Sequence, residues 1–158
     1  MFTAEITKTD PQTVAYITMH GPYSQTPEGY GMLYGWVAQH GLTPTGMPAA
    51  VYLTMPGVDQ SQADAIWELW APVVGDLTEL APDETGIGIK RIGSLTVAST
   101  MHRGPYESVG PTYETLFTWI AGNGYRPDGP PAEFYYSDPD ETPPEEYLTE
   151  VRIPVARV

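Results

Sequence analysis

Two stretches decide the fold: Thr13–Pro56, TVAYITMHGPYSQTPEGYGMLYGWVAQHGLTPTGMPAAVYLTMP, and Thr96–Pro139, TVASTMHRGPYESVGPTYETLFTWIAGNGYRPDGPPAEFYYSDP. Displaced by 83 residues, they overlay without a gap and agree at 17 of 44 positions. Gly21-Pro22-Tyr23 meets Gly104-Pro105-Tyr106, and Tyr30, Leu33, Trp36 and Ala38 meet Tyr113, Leu116, Trp119 and Ala121. Gly41, Pro44, Gly46, Pro48-Ala49 and Tyr52 find Gly124, Pro127, Gly129, Pro131-Ala132 and Tyr135. One gap later, Glu68 and Pro72 meet Glu150 and Pro154. Self-similarity at a fixed spacing reads as a tandem duplication.

Each half reads β-α-β-β. In the first, Thr13 to His20 is a β-branched and aromatic run, hence a strand ended by Gly21-Pro22. Pro27 and Glu28 open a helix, because proline fits a first turn and an acid suits the positive end of the helix dipole. Tyr30, Leu33, Tyr34, Val37 and Ala38 recur at three- and four-residue steps, and Gly41 ends the helix as a left-handed cap. Ala49–Met55 and Ala65–Val74 read as strands around a Pro56-Gly57 turn. In the second half the expected elements are a strand Ile89–His102, a helix Pro111–Ala121 and strands Glu133–Ser137 and Tyr147–Ala156. Asp138 to Glu146, rich in acids and prolines, reads as a solvated loop. The expectation is an α+β fold of two duplicated modules about a pseudo-twofold axis. Module 1 covers about residues 1–76, a linker 77–86 and module 2 87–158 of one domain. Each antiparallel sheet carries its helix on one side, and a central cleft lies between the modules, where ligands are favoured.

Composition bounds the function. The 158 residues suffice for a buried core. Seven Lys and Arg against 20 Asp and Glu give a net charge of -13, which argues against direct nucleic-acid binding and favours cations or basic protein surfaces. With no cysteine there are no disulfides, thiol nucleophiles or thiolate metal sites. No apolar run reaches membrane-spanning length, and MFTAEITKTD lacks the layout of a signal peptide, so no membrane association and a cytoplasmic location are expected.

Strand alternation then selects side chains. Thr149, Val151 and Ile153 form a set suited to packing under the helix, leaving Leu148, Glu150 and Arg152 for the cleft. In the matched strand, Trp67, Leu69 and Ala71 are core, while Ile66, Glu68 and Trp70 face the cleft. In the middle strands Ala50 and Tyr52 share a face, as do Glu133 and Tyr135. The duplication breaks at one telling place: Ala50 against Glu133. A carboxylate flanked by Pro131, Ala132, Phe134 and Tyr135 is costly to bury alone. Either it reaches solvent at a strand end or it awaits a cationic or proton-bearing ligand; desolvation would also suit a general base.

The remaining chemistry-bearing residues have plainer readings. His20 and His102 end equivalent strands as surface histidines, and His40 partners a helix C-terminus. No spacing supports a metal pair, and no metal or other cofactor is expected. Trp36 and Trp119 read as packing residues, and no serine sits in a nucleophile elbow.

Arg103 to Tyr106, Leu116 and Trp119, Glu133 to Tyr135, Asp138-Pro139 and Pro154-Val155 together resemble the GyrI-like small-molecule-binding domain, the gyrase-inhibitory-protein fold. The same domain is the effector-binding part of multidrug-sensing transcription activators of the MerR and AraC classes. The resemblance implies a cleft that binds aromatic, often cationic, molecules, with Glu133 anchoring the charge. Tyr16, Tyr52, Trp70 and Tyr135 would supply the walls, with Glu68, Leu148 and Glu150 beside them. No helix-turn-helix segment is present, so a stand-alone member is expected. Relatives suggest two alternatives to binding or sequestration: hydrolysis of cyclopropane-bearing genotoxins with Glu133 directing water, and a protein-partner role such as gyrase or regulator modulation. A binding anchor and a catalytic acid need the same residue, so the residues leave the enzyme question open and binding stands first.

Overall fold

The computed structural model describes residues 2–54, 65–75, 77–138 and 140–158. In chain order the strands are β1 (Ala4–Lys8), β2 (Gln12–His20), β3 (Ala49–Tyr52), β4 (Ile66–Val73), β5 (Ile87–Ile92), β6 (Thr96–Arg103), β7 (Tyr125–Pro127), β8 (Ala132–Tyr135) and β9 (Leu148–Arg157). The helices are α1 (Thr26–Gln39) and α2 (Gly110–Gly122). The fold is α+β, a mostly antiparallel sheet with two helices. The chain divides into two compact units, residues 10–93 and residues 1–9 with 94–158.

In the unit of residues 10–93, the strands run β3-β4-β2-β5, all antiparallel. Val14, Ala15 and Ile17 of β2 and Trp67, Leu69 and Ala71 of β4 are buried, as their apolar, β-favouring composition predicts. Helix α1 starts with Pro27 in its first turn and Glu28 beside it, and closes before Gly41, whose φ of +68° is open to glycine at little cost. Its buried face is Gly29, Leu33, Trp36 and Val37. A Cβ at Gly29 would fall 2.7 Å from Leu69 Cδ1, which fixes Leu69 on the helix-bearing face of the sheet. Complete burial of Leu33 and Leu69 contributes about 1.5–3 kcal/mol each.

The second unit orders its strands β1-β6-β9-β8, with β7 also paired to β9. Tyr113, Leu116 and Ile120 form the buried stripe of α2 at three- and four-residue steps. Val151, Ile153 and Val155 of β9 are buried as the alternation requires.

Several boundaries depart from expectation. The run Ile89–His102 is two strands, because Gly93 to Leu95 interrupts it. Ile87–Ile92 pairs with β2, so it joins the first unit rather than opening the second. Strand β1, which the sequence reading did not foresee, pairs with β6 and draws the first residues into the second unit. Residues 10–93 form one compact unit and residues 1–9 with 94–158 the other. Within the acidic loop, Pro144–Glu146 forms a short 3-10 turn. The expected Pro56-Gly57 turn, Met55 at the end of its strand, and Pro139 of the Asp138-Pro139 turn lie outside the described residues. Among the described residues no helix is long and apolar enough to cross a membrane.

Candidate functional site

The site grows from the β8–β9 register. Glu133 stands opposite Val151, and Tyr135 opposite Thr149, so these four side chains share one face. That face carries α2, because the phenol of the helix residue Tyr113 donates to Glu133 Oε2 at 2.7 Å. Tyr135 donates to Glu133 Oε1 at 3.1 Å. Glu133 is only 4% exposed. A carboxylate at that depth is tolerated through hydrogen bonds to charged-group acceptors, which are stronger than neutral ones.

The Gly-Pro-Tyr turn delivers the rings. Gly104 adopts φ +125°, a region closed to most side chains, and a 3-10 turn over Tyr106–Ser108 follows. It brings the Tyr106 ring edge-on to Tyr135 at 5.3 Å and stacked on Tyr147 at 4.9 Å. Burial foremost, then the charges of Tyr147 and Glu133, push the Tyr106 phenol above its ordinary pKa, so it stays a neutral ring at physiological pH. His102 supports this turn and is 7% exposed, not the surface histidine expected. Its Nδ1 meets Thr112 Oγ1 at 2.9 Å and its Nε2 donates to the Pro105 carbonyl at 3.1 Å, because the turn after β6 and the first turn of α2 lie against the strand end. His20 is exposed, as expected. His40 Nδ1 donates to the Trp36 carbonyl at 2.9 Å, serving the end of α1. Among the described residues no His, Asp and Glu group could hold a metal ion.

The first unit has its own tyrosine group on the helix face. Tyr52 stands opposite Trp67 on its helix face, and Tyr23 meets both rings at 5.6 and 4.6 Å. Tyr30, which the 83-residue sequence overlay sets against Tyr113, donates its phenol to the Ala49 carbonyl at 2.6 Å, and the same overlay sets Ala50 against Glu133.

The remaining sequence candidates fall on the opposite sheet face of their own units. Tyr16 pairs across strands with Trp70, and Glu68 shares their side. Glu68 Oε1 accepts from Trp70 Nε1 at 3.0 Å and from Lys90 Nζ at 2.6 Å. In the second unit, Leu148 and Glu150 alternate with Thr149, away from Glu133. Arg152 Nε donates to Glu150 Oε2 at 2.8 Å, with its guanidinium 4.0 Å from the centre of the Phe134 ring, and Tyr136 donates to the same carboxylate. The expected single set thus splits in each unit: Tyr52, and Glu133 with Tyr135, on the helix faces; Tyr16, Glu68 and Trp70, and Leu148 with Glu150, on the others. Tyr106, Tyr113 and Tyr147 were not selected from sequence as ligand contacts. Tyr106 lay in the Gly-Pro-Tyr repeat, read as a turn whose tyrosine could still reach the cleft rim; Tyr113 matched Tyr30 on the amphipathic helix; Tyr147 opened the expected last strand. The Glu133 group is a buried carboxyl group held by two phenols beside further tyrosine rings, an arrangement suited to a small molecule.

Comparison with known proteins agrees with this architecture. The crystal structure of the EcmrR C-terminal domain superposes with a TM-score of 0.79 at 23% identity, covering 100% of this chain and 99% of that one. The EcmrR–DNA complex gives 0.84 at 22% identity; this chain spans 58% of that longer one. A structure described as a hydrolase from Listeria innocua gives 0.73 at 17% identity, with 97% and 91% of the two chains covered. SAV2435 bound to tetraphenylphosphonium gives 0.54 at 16% identity, over 98% and 94%. No curated protein matches significantly. The family described as the GyrI-like small molecule binding domain matches residues 3–156. Sheet, helices and buried acid thus sit in a chain that belongs to the GyrI-like family of small-molecule-binding domains.

Proposed function

We propose that this chain binds aromatic, cationic small molecules, with Glu133 as anchor and Tyr106, Tyr113, Tyr135 and Tyr147 as the surrounding rings. The observation that carries this reading is the buried carboxylate bonded by two phenols within a tyrosine cluster. An incoming cation replaces phenol contacts with a charge–charge attraction in a low-dielectric setting, where it is strongest. Aromatic faces add about 0.5–2 kcal/mol each. The ligand reported for SAV2435, a lipophilic aryl cation, supports the same class. We also read the two units as copies of one module, in which Ala50 in place of Glu133 removes the anchor from the first copy. With it we propose a cytoplasmic sequestering or sensing role, and the charge of -13 disfavours direct nucleic-acid contact.

The test is tetraphenylphosphonium binding, read by tryptophan fluorescence and calorimetry. Glu133→Gln should weaken it about tenfold or more while a neutral aromatic of similar size loses under threefold, because only the charge term is removed. Equal losses for both ligands would reduce Glu133 to a structural residue. The second reading, hydrolysis, shares the buried acid, which could take a proton from water as the water oxygen bonds to a cyclopropane carbon; the ring C–C bond breaks, its electron pair passes to the compound's own conjugated carbonyl, and the proton held by Glu133 returns to that enolate. Multiple turnover of such a compound by the wild type, absent in Glu133→Gln, would favour it over binding.

A further inference from the structure

The sheet face opposite α1 holds a cation already. Lys90 reaches from β5 so that Nζ lies 2.6 Å from Glu68 Oε1, 4.3 Å from the centre of the Tyr16 ring and 5.8 Å from that of Trp70. Trp70 Nε1 donates to the same Glu68 oxygen at 3.0 Å, fixing the carboxylate between the indole and the ammonium. Both ring distances lie within the range of a cation–π attraction. Burial first, then the charges of Glu68 and Glu79, push the Tyr16 phenol above its ordinary pKa, so the ring stays neutral. Two aromatic faces and one fixed carboxylate around a single ammonium are the parts from which quaternary-ammonium sites are built. Trp70 is 8% exposed, so the cage wall is a packed surface rather than a loose side chain. The occupant is the mobile part. The Lys90 side chain is 27% exposed, on a flexible four-carbon stem whose charged end can leave without moving the strand.

We propose that Tyr16, Trp70 and Glu68 form a second cation site, separate from Glu133, with Lys90 as its tethered occupant, and that a small organic ammonium takes the cage when Lys90 leaves. The tether sets the competition. A group linked to its own site acts at an effective concentration in the millimolar range, so an external ammonium meets a standing competitor of the same charge. The native site therefore answers only to abundant or tightly held cations, and losing the lysine opens it. The second unit follows the same plan, since Glu150 holds Arg152 stacked on Phe134. There the bidentate guanidinium locks the pair more firmly than an ammonium does.

The experiment titrates full-length protein with tetramethylammonium chloride at constant ionic strength and follows the Trp70 indole N–H resonance, assigned through Trp70→Phe. Lys90→Met should bind the probe about tenfold or more tightly than wild type, because the tethered competitor is gone. Lys90→Gln, which keeps a hydrogen-bond donor for Glu68, should gain in the same direction and serves if the methionine variant does not fold. Adding Glu68→Gln to either variant should abolish the gain. Equal affinity in wild type and both Lys90 variants, no saturable shift in either variant, or a gain that survives Glu68→Gln would overturn the proposal. Failure of tetraphenylphosphonium to bind at all would overturn the Glu133 reading and leave this titration unaffected, because the two use different carboxylates and different probes.

Discussion

Thr149 sits opposite Tyr135, beside the cluster around Glu133, and is 1% exposed with a hydroxyl that has no hydrogen-bond partner among the described residues. A lone buried hydroxyl costs about 1–3 kcal/mol. In the first unit Trp67, opposite Tyr52, is fully buried and its Nε1 likewise has no partner among the described residues. The side chains nearest each tyrosine cluster thus carry polar atoms whose desolvation is unrecovered, a cost that native proteins tolerate at functional sites. Thr149→Val keeps the shape and deletes the hydroxyl, so it should stabilise the fold by about 1 kcal/mol or more in thermal or urea unfolding. A clear destabilisation would mean that the hydroxyl is satisfied in solution. The burial of an acid at 133 was legible in the sequence, because the 83-residue overlay sets it against Ala50 and leaves one charge among apolar neighbours. Tyr113 was not: an amphipathic helix offers several inward positions, and nothing in the chain distinguishes a ring that packs from one whose hydroxyl holds an acid.

At the scale of elements, a polar clamp joins α1 to the segment before β5. Trp36 Nε1 donates to Asp83 Oδ2 at 2.9 Å, while the amide and hydroxyl of Thr85 donate to Oδ1. The Thr85 hydroxyl first, then Trp36 and the Thr85 amide, hold the Asp83 carboxyl at about 2, below its ordinary 3.8. A depressed carboxylate stabilises the fold above its unfolded pKa, and that contribution fades as pH falls through the folded value. Acid titration of Trp36 fluorescence should therefore show a transition near pH 2, with the loss of stability beginning below about 4. Asp83→Asn should remove that transition; a midpoint at the ordinary carboxylate value in the wild type would mean that the clamp does not form. Element types were largely readable. Pro27 and Gly41 bracket α1, and the alternation of β9 gave its buried set correctly. The misses have physical causes. β1 offers one central apolar residue, Ile6, in AEITK, too little periodicity to mark a strand. The break at Gly93 to Leu95 lies between β-branched runs of like composition. Alternation tells which residues of one strand share a face. It does not give the register between strands, so Tyr16 with Trp70 and Tyr135 with Glu133 could not be assigned to opposite sides before pairing was known.

Across the whole molecule the net charge of -13 acts on stability and on binding with opposite signs. Like charges repel in the compact state, so screening relieves strain on the fold, whereas the same field draws cations toward the surface and screening weakens it. The Debye length shrinks from about 30 Å at 0.01 M salt to about 8 Å at 0.15 M, which spans the range where most of this field is lost. Raising sodium chloride between those limits should raise the melting temperature and, at the same time, lower the affinity for tetraphenylphosphonium, while a neutral aromatic ligand gains no comparable penalty. The ion pairs Lys90–Glu68 and Arg152–Glu150 oppose the first trend, but with side chains 12–27% exposed they are screened less than surface charges. If salt lowers both stability and cation affinity together, local pairs outweigh the global charge. If salt leaves cation affinity unchanged, the anion that matters is sheltered from the bulk field, and the attraction comes from the buried carboxylate and its rings alone.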